Sequence, residues 1–300
     1  MAAEMPNTEI RPMDFGEILD HTIRVMKTGW KPLLLTGLLS GLPLVIYSGL
    51  MFSLIPRSGQ LNSPTSNLFL RAVMGATLSD YTNLLELGGV LAGLLLLAGL
   101  LSPWLKGALI VIASRLYLGL PITMGMALRM AGRRYFALVG TSLLILLFGL
   151  LAVPALIVGG LVFLAGLTVP GGLVALCVYW AFNRHALLIE GAGGGMPAIR
   201  RSFGLVSGRF WPLLGMSIVF YLFAAALNGQ LAFVSQVPAQ LLMSIWDNPL
   251  MPWVVALCSG LLTAVAAPLY VVGLTLVYYD VRMRKEGLDL ELMAARQEAR

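Results

Sequence analysis

From residue 33 to residue 280 the chain is written in long apolar runs, broken by short segments in which charged and apolar residues alternate at helical spacing. An α-helix rises about 1.5 Å per residue, so roughly 20 apolar residues cross the hydrocarbon core of a bilayer. Six runs meet that length: 33–55, 88–113, 136–164, 170–189, 210–230 and 252–280. In lipid each backbone polar group must be satisfied within its own segment, which selects helices over open strands. Splitting the third run at Pro154 leaves two pieces too short to cross, so the count is six. Pro154 and Pro268 are expected to kink their helices rather than end them. The pattern predicts an all-α integral membrane protein of six transmembrane helices. It divides into an arm at 1–32, a membrane domain at 33–280 and a tail at 281–300.

The mixed segments before the odd-numbered runs resemble one another. The first reads "FGEILDHTIRVMKTGWKPLLLTGLL", the second "MGMALRMAGRRYFALVGTSLL" and the third "GMPAIRRSFGLVSGRFWPLLGMSI". Each holds a glycine, a short amphipathic stretch, basic residues and an aromatic, followed by an apolar run. The likeness suggests three repeats of an interfacial helix plus a two-helix hairpin, with a pseudo-symmetry axis along the membrane normal. In the first copy Phe15, Leu19, Ile23, Met26 and Trp30 share one face, and Asp14, Glu17, His21, Arg24 and Lys27 fall largely opposite. That division suits a helix lying in the headgroup layer. The 56–65 stretch reads as an external turn region, and 237–246 as a second external segment.

Composition narrows the class. Hydrophobic residues make up 58% of the chain and charged residues 11%, against about 25% charged in soluble domains. The net charge of +6 is distributed by topology rather than by affinity for nucleic acid, which is not an expected partner. Arg11, Arg24, Lys27 and Lys31 lie in the arm, and Arg115, Arg129, Arg133 and Arg134 between the second and third runs. Arg184, Arg200, Arg201 and Arg209 lie around the fourth connector, and Arg282, Arg284, Lys285, Arg296 and Arg300 in the tail. Only Arg57 and Arg71 fall on the other side, and Lys106 lies within the second run. The positive-inside rule then puts both termini in the cytoplasm. Cys177 and Cys258 sit in apolar runs without metal spacing or a disulfide framework, and no cleavable signal peptide is evident.

Candidate chemistry is sparse. Asp14, Glu17, Asp20 and His21 are the one cluster that resembles a ligand set, but Glu17–His21 and Asp20–Arg24 are also ordinary helix-surface pairs. Lys106 lies about seven residues, roughly 10 Å, inside the cytoplasmic end of its span. An ionisable group there is a functional candidate by default, contacting substrate or a lipid phosphate, and its stem equally permits snorkelling to the interface. "GAGGG" at 191–195 lacks the Lys-Ser/Thr and the preceding strand of a phosphate loop and reads as a flexible elbow. Arg200, Arg201 and Arg209 beside it are candidates for anionic lipid headgroups. With two histidines and no nucleophile–base signature, neither an enzyme nor a cofactor or metal site is expected.

The stretch "YYDVRMRKEGLDLEL" at 278–292 places seven charged side chains in the thirteen residues from Asp280. Tyr278 and Tyr279 read as interfacial anchors, Asp280 is spaced to pair with Arg284, and Gly287 is placed to end the helix. Together with "RPMDFGEILDHTIRV" and "IEGAGGGMPAIRRSFGLVSGRFW", this stretch resembles a group of bacterial multi-pass proteins. They are named after the membrane domain of glycerophosphoryl diester phosphodiesterase. The likeness covers about residues 11–292. It implies a bacterial cytoplasmic membrane and a stand-alone membrane domain, because hydrolysis in the name-giving proteins belongs to a soluble barrel that is not expected in this chain. The leading expectation is a non-catalytic scaffold or lipid-organising accessory protein at the cytoplasmic face. Its partners would be anionic lipid, other membrane proteins or further copies of itself. Arg282, Arg284, Lys285, Glu286 and Asp289 form its candidate docking surface. The alternative is a transporter or channel for a lipid or small amphiphile, gated by Lys106, Pro154 and Pro268. A membrane enzyme of lipid phosphodiester metabolism comes third.

Overall fold

The computed structural model describes residues 12–54, 78–162, 168–245 and 251–288, and every regular element among them is helical. In chain order these are α1 (Phe15–Thr28), α2 (Trp30–Leu54), α3 (Leu78–Tyr117), α4 (Met124–Gly132), α5 (Tyr135–Val162) and α6 (Thr168–Tyr179). Then come α7 (Asn183–His185), which runs into a π-turn (Ala186–Glu190), α8 (Met196–Val206), α9 (Phe210–Ile245) and α10 (Met251–Glu286). Three contain stretches long and apolar enough to cross a membrane: Gly99–Tyr117 in α3, Tyr135–Ala152 in α5 and Phe210–Leu227 in α9. The expected 56–65 turn region lies outside the described residues.

The long helices pack in a closed circuit. α2 lies on α3, α3 on α5, α5 on α6, α6 on α9, α9 on α10, and α10 returns to α2. The last helix is the hub, since α10 also touches α1, α3 and α8. From Val272 to Val281 each of its residues is buried, as befits a helix surrounded on all sides. Gly273 makes this possible against α9: a Cβ there would stand 2.4 Å from the Phe220 ring. α5 and α9 do the reverse. Leu143, Leu146, Leu147, Leu150 and Leu151 on α5, and Ile218, Tyr221, Leu222 and Phe223 on α9, are exposed. Apolar surface of that extent marks contact with lipid or another protein.

Four sequence expectations change. The fourth apolar run is not one helix: α6 ends at Tyr179, a turn covers 180–182, and the chain resumes in α7 and the π-turn. The break is held by Ser202 of α8, whose hydroxyl accepts the Phe182 N–H at 3.1 Å and donates to the Tyr179 carbonyl at 2.6 Å. The fifth helix runs on past the expected end at residue 230 to Ile245, so most of the 237–246 segment is a continuation of α9. Gln230, Ser235, Gln236 and Gln240 interrupt the hydropathy there but not the helix. Tyr278 and Tyr279 are not interfacial, being 0% and 2% exposed, because the end of α10 lies inside the fold. Finally, α1 buries Ile18, Thr22 and Val25, a stripe that the sequence hid behind a polar threonine. Thr22 satisfies its own hydroxyl by donating to the Ile18 carbonyl at 2.7 Å.

The "GAGGG" elbow is present and is held in place. Gly191 and Gly195 adopt left-handed φ of 79° and 75°, which favour glycine. Gly194 lies so close to α5 that a Cβ would come within 2.9 Å of the Ala137 backbone, and the Gly195 N–H donates to Thr141 Oγ1 at 2.7 Å. At the other end of α10, Gly287 at φ 64° closes the helix, its N–H donating to the Met283 carbonyl at 3.1 Å.

Candidate functional site

The charged end of α10 meets three other parts of the chain. Asp280, only 2% exposed, accepts the Met13 backbone N–H at 2.9 Å. Both oxygens of its carboxylate also accept Arg284 Nε at 2.9 Å, confirming the i,i+4 pairing. Arg284 Nη2 then donates to the Met13 carbonyl at 2.6 Å. One carboxylate and one guanidinium thus capture both backbone groups of Met13, fastening the arm just before α1 begins. α1 itself starts with the Asp14 N–H donating to Glu17 Oε2 at 3.0 Å.

A second network joins α8, the π-turn and α10. Arg201 Nε donates to Glu190 Oε2 at 2.6 Å, while its Nη1 stands 2.5 Å from Glu286 Oε1. Arg282 Nε reaches Glu286 Oε2 at 3.1 Å and Glu190 Oε1 at 3.3 Å. The Tyr278 hydroxyl donates to Glu190 Oε1. Two guanidiniums and two carboxylates leave this network neutral. Burial alone would raise the Glu286 carboxyl, but the hydrogen bonds and charges of Arg201 and Arg282 outweigh it and hold the group below its ordinary value. Arg201 is held above the usual guanidinium range by its hydrogen bonds to Glu286 and Glu190. Lys285 adds a third fastening, with Nζ donating to the Gly204 carbonyl at 2.8 Å and to the Ser207 carbonyl at the C-terminal end of α8.

Behind the network lies a buried polar core. His185 stacks on Tyr278 with ring centroids 5.3 Å apart, and its Nε2 is 3.2 Å from Thr275 Oγ1. Tyr279 shares a 2.7 Å hydrogen bond with Ser114 of α3. Every carboxylate oxygen described here is spent on an internal donor, so the arrangement fastens elements together and leaves none of them aimed at an outside ligand.

The sequence candidates are therefore partly gathered and partly scattered. Arg201, Arg282, Arg284, Lys285 and Glu286 converge, each bonded within the chain, and Asp289 lies outside the described residues. Arg200, exposed on α8, borders an open groove of about 430 Å³ lined by Phe148, Trp180, Met196, Ile199 and Phe203. Arg209 is half-buried ahead of α9, and Lys106 is exposed on α3. The Asp14–Glu17–Asp20–His21 cluster disperses, with Glu17 capping α1 and Asp20 pairing with Arg24 at 3.0 Å. Sequence reasoning missed Glu190, Tyr278, His185 and the Met13 backbone. Glu190 did carry a signal, being the only acidic residue between Glu86 and Asp247. No family model, no curated protein and no solved structure matches the chain.

Proposed function

We propose that the chain is a non-catalytic six-span membrane protein with both termini in the cytoplasm, organising anionic lipid at that face as a scaffold or accessory component. The observation that carries this reading is the placement of the amphipathic helices. α1, α4 and α8 each run almost directly into a long apolar helix whose first or second residue is an exposed aromatic. These are Trp30 at 56%, Phe136 at 87% and Trp211 at 76% exposure. Aromatic rings so exposed suit the level of the headgroups, with the amphipathic helices lying in that layer. Lys27, Lys31, Arg129, Arg133 and Arg200 are exposed on or beside the same helices, whereas Glu190, Asp280 and Glu286 are neutralised internally. The face therefore offers cations to its surroundings while these carboxylates stay occupied.

The three-repeat reading belongs to the same proposal, supported by the closed helix circuit and by the recurrence of amphipathic helix, aromatic and apolar helix. So does the family resemblance. The three stretches that carry it contribute Met13, Glu190 with Arg201, and Tyr278 to Glu286, all of which meet in the fastening networks. A transporter would need a path between the helices, and the burial of α10 from Val272 to Val281, in contact with α3, favours the first reading.

Two experiments test it. Single cysteines at Ser63 and Ser244 should be labelled from outside the cell, and labelling of either from the cytoplasm alone would sink the topology. In vesicles, intrinsic tryptophan should be quenched more by brominated phosphatidylglycerol than by brominated phosphatidylcholine, with the difference shrinking as salt rises. Equal quenching by both lipids would remove the lipid-organising role.

A further inference from the structure

We propose that Lys106, Arg184 and Ser142 seat one phosphate of an anionic phospholipid drawn from the cytoplasmic leaflet. The inference rests on the lipid-organising reading and gives it a specific site.

Three elements meet at Gly107, where a Cβ would stand 3.0 Å from Leu138 of α5 and 3.3 Å from Leu188 of the π-turn. Lys106 precedes that contact on α3. Ser142 lies one helical turn beyond Leu138, and Arg184 four residues before Leu188, each roughly 6 Å along its element. Arg184 Nη2 donates to Ser142 Oγ at 3.5 Å, which ties α7 to α5, and the positive charge of Arg184 acts on Lys106. Among the described residues no carboxylate pairs with either cation. Tyr270, near Arg184, carries a hydroxyl rather than a charge. Arg184 Nε is buried without a partner.

Two cations brought together without an anion repel each other, and a buried guanidinium nitrogen with no acceptor is costly. A phosphate removes both penalties at once. It accepts from a planar guanidinium through two oxygens and takes a point charge from an ammonium, with a hydroxyl donor beside it. Depth and surroundings point to a lipid. Ser142 is seven residues, roughly 10 Å, from the start of α5, a depth that suits a headgroup drawn just below the interface. Leu146, one turn outward on the same face of α5, is 68% exposed and offers apolar surface to an acyl chain. Lys106 is exposed, so the site opens to the bilayer.

Native mass spectrometry of the whole chain, relipidated with equal phosphatidylglycerol and phosphatidylcholine and then progressively delipidated, tests the assignment. The wild type should keep one phosphatidylglycerol after phosphatidylcholine is gone. Lys106→Met and Arg184→Met should each lower that retention about tenfold, the factor expected for one hydrogen bond to a charged group. Arg184→Lys should recover part of it. Lys106 is exposed, so Lys106→Met should keep the wild-type melting temperature, and its retention decides the matter even if Arg184→Met folds poorly. Equal retention in wild type and Lys106→Met would overturn the proposal. Displacement of the lipid by inorganic phosphate would also overturn it, by making the ligand the free ion. If wild-type tryptophan still prefers brominated phosphatidylglycerol while no lipid is retained, only this site fails. If that preference vanishes too, the broader reading fails with it.

Discussion

The Met13 backbone N–H and the Asp280 carboxylate, 267 positions apart, are joined by a 2.9 Å hydrogen bond that closes the two ends of the described chain on each other. The bond is one side of a ring, because Arg284 takes the same carboxylate and returns to the Met13 carbonyl. The helices between these residues make a closed circuit, and this ring fastens the arm to its hub.

Asp280→Ala removes the acceptor and leaves the Met13 N–H and Arg284 without it. Breaking a fully buried pair costs about 3–5 kcal/mol, and because Arg284 is a third exposed we expect roughly 2–4 kcal/mol here. Thermal unfolding in detergent should show the loss, and hydrogen exchange at Met13 and Asp14 should accelerate. Replacing both partners with Asp280→Leu and Arg284→Met should recover part of the stability, since the uncompensated charge is gone. Unchanged exchange at Met13 in Asp280→Ala would mean that the arm is held by α1 packing alone.

Glu286 makes stability depend on pH in a definite direction. Its folded-state carboxyl lies below the ordinary value of 4.5, so it contributes stability that is present above 4.5 and is lost as pH falls through the lowered value. The melting temperature should therefore drop as pH is taken below about 4.5. Glu286→Gln should flatten part of that drop while lowering the melting temperature near neutrality. A variant whose acid profile parallels the wild type would show that Arg201 and Arg282 do not bind Glu286 in solution.

Much of the architecture was legible because apolar run length is a local property. The helices appear where the runs lie, and Asp280–Arg284 pairs because i,i+4 spacing is written along one helix. Interactions across the fold left no such trace. Nothing at Tyr179 says that Ser202 will donate to its carbonyl, so a run interrupted by a turn read as one unbroken helix. Tyr278 and Tyr279 close an apolar run as interfacial aromatics do, and only the central position of α10 buries them. Of the docking surface expected at Arg282, Arg284, Lys285, Glu286 and Asp289, the first four bond to Glu190, Arg201, Met13, Gly204 and Ser207 within the chain, partners that charge density along the sequence does not reveal.

Ser202 should be worth more than its size suggests. Its hydroxyl satisfies one donor and one acceptor at the break between α6 and α7, the first buried and the second partly buried. Ser202→Ala leaves the two groups unmatched, a loss of about 1–3 kcal/mol. Ser207→Ala, at an exposed position, should change stability by less than about 0.5 kcal/mol. Hydrogen exchange at the Phe182 amide is the local readout. Protection unchanged in Ser202→Ala would show that the turn at 180–182 holds itself.

The contact between α9 and α10 is set by one missing methyl group. A Cβ on Gly273 would stand 2.4 to 2.9 Å from three carbons of the Phe220 ring, and Phe220 is itself 1% exposed with little room to turn. Gly273→Ala should therefore destabilise by about 1–3 kcal/mol through overpacking, despite the gain in helix propensity that alanine brings elsewhere. Phe220→Leu alone should also destabilise, by leaving space beside Gly273. Combined, the two changes should cost less than their sum, because the shorter side chain vacates the volume that the new methyl needs. A double-mutant cycle on thermal stability measures that coupling, expected at about 0.5–3 kcal/mol for residues in contact. Strict additivity would mean that the ring does not rest on Gly273, and the α9–α10 packing at the hub would have to be redrawn.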